Sequence, residues 1–137
     1  MLRQIFKKEI QTVSFEDVQY AVKHNDDFLI INTLNEGDQE HLITGTMYYK
    51  NEEEKINSFV NNYDFSSKKI IIYSENANDK SAEKKYHQIT SLGFQNVYIY
   101  PGGLFEWLCL QDIYGEEHFP TTKPLLDILK YKPKSCF

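Results

Sequence analysis

The residues of this chain whose types could do chemistry fall into three groups. Two cysteines, Cys109 and Cys136, form neither a CxxC pair nor a metal-ligand spacing. They are expected to be one buried thiol and one thiol near the C-terminal end. The four histidines, His24, His41, His87 and His118, are scattered, and no two make an HxxxH or HxH pair. Neither a metal site nor a cofactor site is therefore expected. The third group is C-terminal: Lys123, Lys130, Tyr131, Lys132, Lys134 and Phe137, in a stretch broken by Pro124 and Pro133. Basic residues interleaved with aromatic anchors suit docking on an acidic protein assembly. The competing expectation is a solvated tail.

The elements that must carry these groups alternate between strand and helix patterns. Ser14, with Asp17 three residues on, resembles a capping box, and Phe15, Val18 and Val22 recur at helical spacing, so 15–24 is predicted helical. Phe28-Leu29-Ile30-Ile31-Asn32 is an apolar run suited to a strand buried on both faces. Residues 35–41 are polar and contain Gly37, which suits a loop or short helix, and Thr46-Met47-Tyr48-Tyr49 is β-prone. Residues 51–62 form a mostly exposed helix pattern with Ile56, Phe59 and Val60 inward. Lys69-Ile70-Ile71-Ile72-Tyr73 is the clearest strand. The polar run Ser74-Glu75-Asn76-Ala77-Asn78-Asp79-Lys80-Ser81 leads from it into a helix over about 80–92, which stops at Gly93. Asn96–Tyr100 is another strand, Pro101-Gly102-Gly103 a turn, and a last helix runs from Leu104 to about Leu110. Strands alternating with helices imply a parallel sheet covered on both faces.

At 137 residues the chain is one domain's length, and 41% apolar with 15% aromatic residues excludes a disordered chain. No apolar run approaches the ~20 residues that span a bilayer, and the first residues lack the pattern of a secretory signal. A cytoplasmic or cytoskeletal location without membrane attachment is expected. The net charge of −5 is uneven: Arg3, Lys7, Lys8 and Glu9 give 1–10 a charge of +2, and four lysines with Asp127 give 120–137 a charge of +3. Residues 11–119 therefore carry −10, which argues against nucleic acid as the main partner. Three parts are expected: a basic segment at 1–10, a domain at 11–119, and a basic tail at 120–137 beyond the compact body.

Four stretches in order resemble the rhodanese family over about residues 11–115. Phe28–Asn32 sits where the family has an apolar strand ending in Asp-Val-Arg, and Leu42-Ile43-Thr44-Gly45-Thr46 is similar to its His-Ile-Pro-Gly-Ala. Ile70–Ser74 resembles the strand that ends in the catalytic cysteine. Gly93-Phe94-Gln95-Asn96-Val97, then Gly102-Gly103 and Trp107, resembles the family's Gly-Phe-x-x-Val, Gly-Gly and Trp. The resemblance implies a parallel five-stranded sheet with helices on both faces.

The departures from the family bear on function. Its nucleophile falls at Ser74, and a serine hydroxyl cannot hold the second sulfur of a persulfide. The spacing from Ser74 to Lys80 resembles the longer Cys-x5-Arg loop of rhodanese-related phosphatases, which aims backbone N–H groups at an anion. Here Glu75 and Asp79 would repel that anion, and Lys80 offers a point charge where arginine is bidentate. Asn32, Leu34 and Leu42 replace the Asp-Val-Arg and His-Ile positions, and His41, one place early, is expected at the surface. The loop and the Pro101–Leu104 turn resemble those of a centrosomal and ciliary family member linked to tubulin glutamylation.

The expected function is thus a non-catalytic structural or binding module in a larger assembly, with no catalytic residue and no small-molecule substrate. Tubulin or axonemal proteins are the partners implied by the ciliary resemblance, and a cilium, flagellum or centrosome the location. Two alternatives stand beside it: a sulfurtransferase or phosphatase-like enzyme with an atypical loop, and an anion sensor using Ser74 and Lys80.

Overall fold

The computed structural model describes residues 9–137. The basic segment expected at 1–10 lies outside them except for Glu9 and Ile10. Three parallel strands, β1 (Phe28–Asn32), β2 (Lys69–Tyr73) and β3 (Val97–Ile99), lie in the order β1-β2-β3. Phe28 pairs with Lys69 and Asn32 with Tyr73, while Ile70 pairs with Val97 and Ile72 with Ile99. Among the described residues four α-helices surround them: α1 (Phe15–Lys23), α2 (Glu52–Asn61), α3 (Ser81–Ser91) and α4 (Gly103–Tyr114).

The sheet has three strands and not the five expected. The two outer positions shrink to single parallel bridges, Thr12 to Ile99 and Ile30 to Thr46. Each flank is cut short by its own sequence. Ser14 already caps α1, its N–H donating to Asp17 Oδ2 at 2.9 Å, so the chain leaves the sheet directly after Val13. On the other edge Gly45 turns at φ +90°, and a short 3₁₀ turn at Tyr49–Asn51 ends any extension beyond Met47.

Strand alternation sends residues to two cores. Ile30, Ile71 and Tyr73 pack with Val18 and Ala21 of α1 and Leu104, Trp107 and Leu108 of α4. Leu29, Ile31, Ile70 and Ile72 pack with Ile56 of α2 and Ala82, Tyr86 and Ile89 of α3. Among the described residues no helix is long and apolar enough to cross a membrane.

The segment after Pro120 does not leave the body as the sequence suggested. Phe119 and Tyr131 are buried in the α1/α4 core, with Leu125 and Ile128 packed against it. The indole N–H of Trp107 donates to Pro120 O at 3.1 Å, and Gln111 Nε2 donates to Phe119 O at 2.8 Å. Thr121 bridges Ile43 antiparallel, and Thr122 N–H donates to Leu42 O at 2.8 Å. Buried aromatic side chains and a paired backbone outweigh the turn-forming prolines. Residues 132–137 project mostly into solvent, and Lys123, Leu126 and Leu129 are exposed along the way.

Candidate functional site

The polar loop joins the C-terminal end of β2 to the start of α3. Its first residue, Ser74, is 3% exposed. The hydroxyl donates inward to Asn76 O at 3.0 Å and lies 3.4 Å from Asp79 O. The hydroxyl is thus engaged by carbonyls of the loop itself.

The rest of the loop is filled from within. Asn76 is buried, and its Oδ1 accepts the Asn78 N–H at 2.9 Å. Asp79 N–H donates to Asn76 O at 3.3 Å. The Asp79 carboxylate takes the Ser81 N–H at 2.9 Å, occupying the place at the α3 N-terminus where an incoming anion would gain most. On the far side the first turn of α4 is spent on the loop as well. Leu104 N–H donates to Ser74 O at 2.9 Å, and Phe105 N–H to Glu75 O at 2.8 Å. That approach requires glycine at 103: its φ is +66°, and a Cβ there would stand 2.5 Å from Ser74 O.

Charge reinforces the geometry. Burial pushes the Glu75 carboxyl above its ordinary value, and neighbouring Asp79 and Asp38 push it further, while Lys134 and Lys130 pull it back. Lys80 is exposed and makes no ion pair among the described residues.

The C-terminal segment closes over this loop, a connection the sequence did not reveal. Asn76 Nδ2 donates to Tyr131 O at 3.0 Å, and the Tyr131 hydroxyl donates to Asp38 at 3.3 Å. Lys130 Nζ lies 3.3 Å from the same carboxylate. A groove of about 640 Å³ runs between loop and segment, with Thr33, Glu75 and Asp79 on one wall and Leu129, Lys132 and Lys134 on the other. A smaller hollow of about 260 Å³ touches Ser74, Lys80 and Tyr100.

The other candidates are not brought together. Cys109, on α4, is half-buried, against the expectation of a fully buried thiol; burial raises its pKa, and Asp112 and Glu106 add to the rise. Cys136 is exposed. His41, expected at the surface, is half-buried, its Nδ1 3.2 Å from Lys123 O. No cluster of three metal-ligating side chains exists among the described residues. Of the docking candidates, Tyr131 is 1% exposed and serves the core, whereas Lys123, Lys132, Lys134 and Phe137 are exposed. The sequence reading placed Asn76 in the loop but gave it no role of its own, since it is a polar residue among polar neighbours. It also gave none to Tyr73, whose hydroxyl reaches 30 residues back to accept the Ile43 N–H at 3.2 Å.

The architecture of strand, loop and helix agrees with one family model: the rhodanese-like domain matches residues 5–109. The chain belongs to the rhodanese-like domain family. Solved structures carry the same fold. The single-domain sulfurtransferase RDL2 of Saccharomyces cerevisiae is 21% identical over 83% of this chain and 98% of its own, at a TM-score of 0.58. A yeast protein tyrosine phosphatase of the rhodanese family is 11% identical over 89% of this chain and 98% of its own, at 0.62. A rhodanese-like domain from Anabaena sp. is 20% identical over 95% of this chain and 89% of its own, at 0.57. No curated protein sequence matches the chain. In this fold the residues from Ser74 to Lys80 join the end of β2 to the start of α3.

Proposed function

We propose that this rhodanese-like domain is a non-catalytic binding module that works within a larger protein assembly. One observation carries the proposal: the loop at the end of β2 is satisfied by its own atoms. Ser74 Oγ donates to the loop's own carbonyl, and Asp79 holds the N–H at the α3 N-terminus. Sulfur transfer needs an accessible thiolate, and phosphoryl transfer through a covalent intermediate needs an accessible nucleophile beside free anion donors. Ser74 supplies neither chemistry, and Glu75 and Asp79 give the loop a negative face that repels thiosulfate and phosphate alike. The neighbours named as a sulfurtransferase and a phosphatase are similar in fold at identities of 21% and 11%.

The assembly is acidic where this chain docks, because residues 120–137 carry a net charge of +3 on a chain whose total is −5. A microtubule-bound setting, in cilium or centrosome, is the one that the loop's likeness to the ciliary family member favours. The test is turnover by the full chain with thiosulfate and cyanide, and with an aryl phosphate. Rates equal to a boiled control are expected with both. Steady turnover of either substrate would overturn the non-catalytic proposal.

A further inference from the structure

The C-terminal segment unites two features that the fold itself does not use. One is apolar exposure: Leu126 is fully exposed, Leu129 is 57% exposed, and Phe137 is fully exposed. The other is charge: Lys123, Lys132 and Lys134 are exposed and lie in no ion pair among the described residues, unlike Lys130, which is held by Asp38. A loose tail would present these groups at random. Here Tyr131, buried in the core and tied by its carbonyl to Asn76, fixes the backbone between Leu129 and Lys132. Lys132 continues in extended geometry at φ −62° and ψ 152°, and Leu129, Lys132 and Lys134 line the same groove. Ordering cost that a docking tail would meet on binding has already been met in folding.

We infer that this ridge, Leu129 with Lys132 and Lys134, and with Leu126 exposed three residues before it, is a preformed docking surface for an acidic protein segment that carries apolar side chains. The inference deepens the binding-module proposal and rests on it. Residues 120–137 sum to +3 from four lysines and Asp127, so with a total of −5 the rest of the chain is −8. An acidic partner is therefore drawn to the ridge and repelled elsewhere, which fixes its placement. The exposed leucines supply the contact that salt cannot screen.

The same residue types would also suit an anionic lipid surface, but the surroundings oppose it. Asp38, Glu75 and Asp79 flank the ridge, and burial, with the charges of Asp79 and Asp38 beside it, already raises Glu75. A flat bilayer would press on those carboxylates, whereas a narrow chain segment can follow the ridge and avoid them.

The test uses the full chain and a fluorescent synthetic peptide of alternating glutamate and leucine, read by anisotropy. Vesicles of phosphatidylserine serve as the competing probe. Saturable peptide binding is expected, weakened about tenfold or more by Lys132→Glu with Lys134→Glu. Leu126→Ser with Leu129→Ser should weaken it at high salt, where the charge contribution fades. Since all four positions are exposed, melting temperatures of the variants should match the parent. Peptide binding unchanged in both variants, or tighter binding to the vesicles than to the peptide, would overturn the ridge. Turnover assays on the same preparation keep the two proposals apart. A ridge that fails in an inactive protein leaves the non-catalytic reading standing, and turnover with the ridge intact sinks only that reading.

Discussion

At the scale of single residues, the inertness proposed for the loop rests on which of its atoms are already engaged. Replacing Ser74 by cysteine would restore the element sulfur without restoring the site, because Glu75 and Asp79 disfavour a thiolate between them. Ser74→Cys is expected to react with an alkylating reagent more slowly than exposed Cys136, measured by mass spectrometry of the modified positions. Faster reaction at position 74 would show an activated thiol and a site more intact than its hydrogen bonds indicate. Glu75 makes a pH prediction. Its carboxyl is raised in the folded protein, so the folded state holds its proton at a pH where the unfolded chain has lost it. Its ionisation thus opposes folding once the pH rises above the ordinary carboxylate range, and the penalty vanishes on acidification. Glu75→Gln should raise the melting temperature at neutral pH, and the gain should shrink as the pH falls below that range. A constant gain across the range would mean that charge is not its cause. That Ser74 stands where the resemblance places the family's cysteine was legible at this scale from the sequence. The hydrogen bonds within the loop were not, because Asn76 acts through its partners Asn78 and Tyr131, and the latter lies 55 residues away.

At the scale of elements, β2 and the C-terminal segment carry the stability. Ile71 is buried in the middle of the central strand, so Ile71→Ala should cost about 2–5 kcal/mol in denaturant unfolding. Ser74→Ala removes one neutral hydrogen bond and should cost about 1 kcal/mol. Tyr131→Ala should cost about 3–5 kcal/mol, as for other large buried aromatics, since it empties the junction of loop, α4 and segment. Removing 120–137 should leave no cooperative transition, because Trp107, Gln111 and Leu42 lose their partners at once. Removing only 132–137 should leave the fold intact. A stable, cooperative 1–119 fragment would show that the segment is peripheral after all. The strands and helices were legible because Phe28–Asn32 and Lys69–Tyr73 are unbroken apolar runs, and Val18 and Ile56 sit at helical spacing. The segment was not, because Pro124, Pro133 and four lysines disguise a sparse pattern of buried residues, Phe119, Leu125, Ile128 and Tyr131. The strand count failed for a related reason. A β-prone stretch such as Thr46–Tyr49 records side-chain preference, while Gly45 and the following turn decide how far the backbone can pair.

At the scale of the whole molecule, the rhodanese-like fold is retained around a loop whose donors and acceptors answer one another. The helices on both faces and the central parallel sheet remain, since those depend on Ile70–Tyr73 and the apolar helix faces and not on the nucleophile. On the proposed reading, what the molecule offers a partner is its surface, with a net charge of +3 in residues 120–137 and −8 in the rest of the chain. The measurement that bears most directly on this account is a titration of the full chain with phosphate and with thiosulfate, followed by backbone amide resonances. If the loop is filled from within, the amides of Asn78, Asp79 and Ser81 keep their partners and show no saturable shift with either anion. Saturable shifts at those three amides would mean that an oxyanion displaces Asn76 and Asp79, and the loop would then be a working anion site.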